Sequence, residues 1–337
     1  FMLAVAYKRD EESGTLFRPA TDGDRESFQR ASAALAQAEA AHDDPFFPLV
    51  PDEPLPEKSR GNNLGRYGVR TWGEVHNARQ LLALTTFAHA IQDVYREVVT
   101  LGATGEMGAA ISLYLALALS RMSLRLSEAS RWINKRDTIS AATAGHKLPM
   151  LWDYAEVDPL SNGSGSWETT YRWALPSIEG VLGAAEDPVR VAWGDAAQLP
   201  YEENYFDAIL TDPPYYDSVS YSDLADMQYV WLHRALQNIL PEHFPSPLTP
   251  KKAEIIQENS RHESSAAAKA FFEARMWEAL KEMHRVLKPD GIAMVMYAHT
   301  ETSAWETLVS ALIRSGFQIT ASWPVNTETR SRQVWLG

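Results

Sequence analysis

The stretch ILTDPPYYDS, residues 209–218, takes an apolar run straight into a carboxylate, two prolines and two tyrosines. Asp212 offers hydrogen-bond acceptors, Pro213 and Pro214 lock their own φ angles and so hold the local carbonyls in direction, and Tyr215 and Tyr216 offer ring faces for a planar group. Such groups can hold and orient a ligand. The tetrapeptide Asp-Pro-Pro-Tyr also ends a strand on structural grounds alone, because Asp-Pro-Pro makes a good turn and the ring after it can simply pack. Its surroundings decide between the two readings.

From residue 189 onward strands and helices alternate. VRVAWGD (189–195), FDAILTD (206–212), GIAMVMYAH (291–299) and FQITASWPV (317–325) read as strands, and helices are expected around Leu224–Ala235, through FFEARMWEALKEMHRVL and through SAWETLVSALIRSG. Strands separated by helices imply a parallel, doubly wound sheet. In such sheets ligands sit beyond the carboxyl ends of the strands, and that is where Asp212, Pro213, Pro214 and Tyr215 fall. Asp195 closes the preceding predicted strand 17 positions earlier, so both carboxylates are expected to face one crevice.

The first part of the chain reads differently. A small hairpin is predicted within residues 1–18, a helix over Glu26–Ala41, and a long Pro/Gly/Asn-rich connection over 43–73. Two helices follow, one with Leu84, Phe87, Ile91, Val94 and Val98 on its apolar face, the other with Met107, Ile111, Tyr114, Ala118 and Met122. The glycines of LGATGEMG between them follow a helix rather than a strand, so they are expected to make a helix-to-helix turn and not a phosphate loop. The resulting division is a mainly helical accessory region over 1–150 with an N-terminal hairpin, and an α/β region over 151–337.

Composition narrows the function classes. The net charge of −13 argues against a general polyanion binder, so any nucleic-acid contact must be local. The chain has no cysteine, which excludes disulfides and zinc–thiolate sites within it and makes a reducing cytoplasm its simplest home. The apolar run 107–120 is shorter than the roughly 20 residues of a membrane span, and no membrane partner is expected. The chain opens on FMLAVAYKR and stops at RSRQVWLG, where a strand-like run has only begun, and both ends read as cuts.

The train from VAWGDAAQLP through DPPYY to EMHRVLKPDGIAMVMY resembles the second half of class I S-adenosylmethionine-dependent methyltransferases. Its Asp-Pro-Pro-Tyr is similar to the signature of enzymes that methylate an exocyclic nitrogen of a nucleobase. A narrower likeness spans 64–87, 148–167, 212–234 and 322–332, which resemble segments of the large prokaryotic adenine-specific DNA methylases that carry a zinc ribbon, some encoded in anti-phage defence islands.

The resemblance implies a Rossmann-like methyltransferase sheet, incomplete in this chain, with S-adenosylmethionine as cofactor, double-stranded DNA as substrate and other subunits of a defence system as partners. It gives Asp212 and the Pro213 carbonyl the task of accepting hydrogen bonds from the amino group, Tyr215 that of stacking on a flipped base, and Asp195 that of contacting the adenine of the cofactor. Cytosine N4, an RNA base or a glutamine side chain are the alternative acceptors, because related tetrapeptides serve all of them. Two departures stand out: the family's glycine-rich cofactor loop and its cysteines have no counterpart here, which leaves a non-catalytic nucleic-acid-binding role open.

Basic residues cluster over Arg121–Lys147, with Arg131 and Lys135 as phosphate-contact candidates, and over 58–72, with Arg66 and Arg70; a solvated charged face is the structural alternative. Tyr216, Asp217 and Tyr221 are expected along the crevice, and Glu328, Arg330 and Arg332 at its rim. Residues 241–268 occupy the place of a target-recognition insertion. His233, His284 and His299 are dispersed without metal-ligand spacing, and no metal site is expected.

Overall fold

The computed structural model describes residues 2–7, 14–44, 46–57, 59, 61–181, 189–215, 219–299 and 302–324. The chain is mixed α/β and forms two compact units, Phe1–Pro188 with Tyr221–Lys251, and Val189–Ser220 with Lys252–Gly337. The boundary predicted near residue 150 is therefore replaced by an interleaved one. The reason lies in the helix after DPPYY, whose apolar residues are buried in the first unit.

In the first unit, β1 (Ala4–Tyr7) and β2 (Leu16–Pro19) pair antiparallel, with Ala4 opposite Pro19 and Tyr7 opposite Leu16. Helix α1 (Asp22–Ala41) starts four residues earlier than the periodicity predicts, because Thr21 and Asp24 form a reciprocal capping box. Helix α2 (Ala78–Thr100) is capped by Asn77, and α3 (Gly105–Ser123) by Thr104. Gly102, at φ 99°, makes the turn between them, a backbone conformation that glycine adopts without strain. The expected helix-to-helix turn is thus present.

The buried face of α3 matches the predicted one at Ala118 and Met122 and departs from it at Met107 and Tyr114. Met107 and Tyr114 are exposed, whereas Gly108, Ser112, Ala116, Leu119, Ser120 and Ser123 are buried. A Cβ at Gly108 would come within 3.0 Å of Val99 Cγ2 and 3.1 Å of the Tyr95 ring. Small residues let the two backbones approach closely, and that geometry outweighs the larger apolar side chains.

A two-residue hairpin, β3 (Trp132–Ile133) with β4 (Thr138–Ile139), and α4 (Trp167–Val181) follow. Helix α5 (Tyr221–Leu236) packs on α2 and α3 and buries Met227, Val230 and Trp231. Each large apolar side chain so buried contributes about 1.5–3 kcal/mol. The core of this unit also holds Trp72, Leu84, Ile91 and Met122.

In the second unit, β5 (Phe206–Thr211) and β6 (Leu287–Val295) form a parallel pair, flanked by α6 (Ser265–Val286) and α7 (Thr302–Arg314). Ile209 and Val295 pack against Phe272, Met276, Leu280, Met283, Leu308 and Ala311. The other face of the pair carries Leu210 at 74% and Ile292 at 71% exposure. Between Phe206↔Leu287 and Ala208↔Ile292 the register shifts, and Lys288–Gly291 form the excursion. Pro289 lacks an N–H for the ladder there, and Gly291 passes the Asp207 carbonyl too closely for a side chain, with a Cβ placed 2.9 Å away.

Two strand expectations are corrected. Residues 189–194 form no strand, and Val189, Val191 and Trp193 are exposed; 317–324 form none either. A strand is held by a ladder, and among the described residues β5 and β6 pair only with each other. The doubly wound sheet is thus reduced to one parallel pair among the described residues.

Candidate functional site

Strand β5 ends at Thr211, whose carbonyl accepts from the Met296 N–H at 2.9 Å and so extends the ladder one step past β6. Asp212 follows directly, exposed at the carboxyl edge of the parallel pair, with Pro213, Pro214 and Tyr215 half-buried behind it. The Tyr215 hydroxyl donates to Asp212 Oδ1. Among the described residues no hydrogen bond is donated to the Pro213 carbonyl. The carboxylate and carbonyl expected to meet an amino group are therefore placed at the strand end, one carboxylate oxygen being shared with Tyr215.

The Tyr215 ring is braced. It meets Tyr297 at 5.2 Å between centroids and 78° between planes. Tyr297 meets Trp305 at 5.2 Å and 87°, and lies over His299 at 6.5 Å and 16°. Trp305 Nε1 donates to the His299 carbonyl at 3.1 Å. Burial pushes the Tyr297 phenol up to about 12, so it stays neutral over the physiological range. Tyr297 leaves β6 as Asp212 leaves β5, so both come from carboxyl ends of neighbouring parallel strands.

Sequence reasoning did not single out Tyr297 or Trp305. The rule that located Asp212 would have found Tyr297, because MVMY ends the next parallel strand in the same way. Trp305 had no comparable signal, since its place depends on how α7 starts.

Asp195 is fastened to α6. Its Oδ1 accepts from the Ala197 N–H at 2.9 Å and its Oδ2 from Arg275 Nη2 at 2.6 Å. The Ala197 N–H first, and then Arg275, hold its carboxyl below the usual range despite partial burial. The segment after it is tied to the same helix: Glu282 accepts from the Leu199 N–H at 3.0 Å, and Arg285 donates to the Tyr201 and Leu199 carbonyls at 2.9 and 3.2 Å. Arg275, Glu282 and Arg285 were absent from the expectations, although their i,i+3 and i,i+7 spacing marks one helix face.

Arg66, Arg70, Arg131 and Lys135 belong to the first unit and are exposed. Arg66 sits in a short 3-10 turn, Leu64–Tyr67, and Arg70 reaches Glu57 at 3.6 Å. Arg131 precedes the β3–β4 hairpin and Lys135 lies at its tip. Two other arginines of the basic stretch are structural: Arg121 stacks over Trp173 at 3.8 Å, and Arg125 is half-buried with its guanidinium pushed down by burial. Tyr216, Asp217, Lys58, Arg60, Glu328, Arg330 and Arg332 lie outside the described residues. Tyr221 starts α5 in the first unit.

The segment from 241 on is anchored rather than free. Asp226, wholly buried, accepts from Thr249 and pairs with Lys251 at 2.6 Å in the first unit, and in the second unit Glu258 accepts from Ser220 Oγ at 2.6 Å. His233 is a core residue, stacked on Phe244 at 5.2 Å, and burial lowers it to about 4. No group of three or more metal-ligating side chains gathers among the described residues.

Comparison with known proteins finds no match to this chain among family models, curated proteins or solved structures.

Proposed function

We propose that the chain is the base-holding part of an S-adenosylmethionine-dependent amino-methyltransferase with a Rossmann-like core, acting on the exocyclic nitrogen of adenine in double-stranded DNA. The supporting observation is Asp212–Tyr215 at the carboxyl end of a parallel strand, with the Tyr215 ring braced by Tyr297. Asp212 and the Pro213 carbonyl accept hydrogen bonds from the amino group, and the ring face of Tyr215 holds a base extruded from the duplex. Fixed acceptors on a strand end orient the nitrogen without reorganisation, which is where positioning catalysis gains most.

The methyl donor would supply an electrophilic methyl group. The described residues do not by themselves make its site: both Asp195 oxygens are engaged by Ala197 and Arg275, and no glycine-rich loop follows a strand in the sequence. The reading therefore assigns this chain's own residues to the acceptor. Arg66, Arg70, Arg131 and Lys135 would meet phosphates without reading sequence. A cytoplasmic role alongside other subunits of an anti-phage or restriction system fits the cysteine-free composition and the family resemblance. No described helix is long and apolar enough to cross a membrane.

The second reading, a nucleic-acid-binding part without catalysis, draws on the same engaged Asp195 and missing loop. Incubation with radiolabelled S-adenosylmethionine and DNA, followed by nucleoside analysis, separates them. N6-methyladenine that disappears in Asp212→Ala and Tyr215→Ala supports the enzyme; N4-methylcytosine as the product overturns adenine methylation, and DNA binding that is indifferent to both substitutions overturns the base-holding role.

A further inference from the structure

The aromatic side chains at the carboxyl edge of β5 and β6 extend past what one base requires. Tyr215 suffices to stack on the target, yet Tyr297 and Trp305 continue the array in two further edge-to-face steps of 5.2 Å. Tyr297 is the hub, with a neighbour on either side, and it is half-buried. Trp305 is the outer member and is 41% exposed. Its indole is nonetheless held in place, because Nε1 donates to the His299 carbonyl at 3.1 Å. The core side of α7 is made by Ala304, Leu308 and Ala311, so Trp305 is not needed to seat the helix.

A large ring that is orientationally fixed, exposed and continuous with a stacking site is a platform for another planar group. Two steps of 5.2 Å place the Trp305 ring centre at most about 10 Å from that of Tyr215, about three times the roughly 3.4 Å rise per nucleotide of a stacked strand, so a neighbouring base reaches Trp305 only when the strand is drawn out of its stack.

We propose that Trp305 is a second stacking position, taken by the nucleobase that flanks the target base on the same strand. This rests on the reading of Asp212 and Tyr215 as the base-holding site. It makes the recognised unit at least two neighbouring bases out of their normal stack, and it gives the chain a way to favour nucleic acid over an isolated nucleoside or a side-chain amide.

The test compares two fluorescently labelled single-stranded deoxytrinucleotides, one with adenine at the centre and bases on both sides, the other with abasic sugars at the flanks so that the phosphates are unchanged. The full chain binds the first more tightly, by about tenfold if flanking stacking has its usual strength. Trp305→Ala removes that preference and Trp305→Phe retains most of it, while Tyr215→Ala weakens both ligands alike. A preference that survives in Trp305→Ala, with Tyr215→Ala still weakening both, overturns the flanking position and leaves the base-holding site standing. Absence of binding to either trinucleotide, or indifference to Tyr215→Ala, overturns both together.

Discussion

Arg234 of α5 donates to Glu53 Oε1 at 2.8 Å, with the two side chains 5% and 6% exposed. The guanidinium also donates from Nε to the Pro48 and Leu49 carbonyls and lies 4.8 Å over the Phe47 ring. One side chain thus fastens the start of the long 43–73 connection to the helix that follows DPPYY. Removing one partner leaves the other charge buried without compensation, a loss of about 3–5 kcal/mol. Arg234→Met and Glu53→Gln are each expected to lower the unfolding free energy, read from urea denaturation, by that order. The double variant should lose clearly less than the two single losses together, and a loss equal to their sum would show that the pair is not coupled.

Gly108 sits where α3 crosses α2, and its missing side chain sets how closely they pack. Gly108→Leu forces a group into space already occupied by Tyr95 and Val99, so destabilisation of about 1–3 kcal/mol is expected. Gly105 opens the same helix and would place a Cβ no nearer than 3.7 Å to the Tyr95 hydroxyl oxygen. Gly105→Ala is expected to be neutral or to add a few tenths of a kcal/mol through unfolded-state entropy. Thermal unfolding of the two variants side by side checks the contrast.

These helices also show what the sequence made legible and what it did not. Leu84 and Ile91 on α2 are buried where the 3.6-residue period puts them, because a large apolar stripe has one favourable place to go. On α3 the same rule placed Ala118 and Met122 correctly but also chose Met107 and Tyr114, where it failed because close packing rewards absence of volume, which hydrophobic periodicity does not measure. The strand FDAILTD formed because β6 lies beside it, whereas VRVAWGD, apolar at alternate positions, formed none. A strand needs a ladder, and pairing is a non-local property that composition alone cannot supply. The expected place of Asp212–Tyr215 at the end of a parallel strand is observed. Tyr297 ends the next parallel strand and was open to the same strand-end rule, whereas the meeting of its ring with Tyr215, 82 positions earlier, depends on the parallel pairing and was not legible.

The first unit contains two buried histidines whose neutrality links its stability to pH. His76 Nδ1 bonds the Leu126 carbonyl and its Nε2 accepts from Trp231 Nε1 at 3.3 Å, and burial lowers its pKa to about 4. His233 is lowered to about 4 by burial and by Arg234. In the unfolded chain both titrate near 6.5, so between about pH 6.5 and 4 the unfolded state binds more protons than the folded one. Stability is therefore fully present above the unfolded value and falls as pH drops through that window, by up to about 1.4 kcal/mol per pH unit for each histidine. Urea midpoints from pH 7.5 to 5 are expected to fall, and His76→Gln should flatten the slope while lowering the plateau. A slope unchanged in His76→Gln would remove this histidine from the linkage.

The bond from the Tyr215 hydroxyl to Asp212 separates two functions of one side chain. Tyr215→Phe keeps the ring and its edge-to-face contact with Tyr297 and frees the Asp212 oxygen that the hydroxyl occupied. Tyr215→Ala removes the stacking face itself. If the ring holds the base, affinity for a single-stranded adenine oligonucleotide should fall by about tenfold or more in Tyr215→Ala, and by much less in Tyr215→Phe, where the ring face stays and only the hydroxyl's own bond to the Asp212 carboxylate is lost. Tyr297→Ala should fall between them, since the ring on Tyr215 survives but its brace does not. Fluorescence anisotropy on the four proteins ranks the effects. If Tyr215→Phe costs as much as Tyr215→Ala, the hydroxyl and not the ring face carries the interaction, and Asp212 acts through Tyr215 instead of reaching the amino group directly.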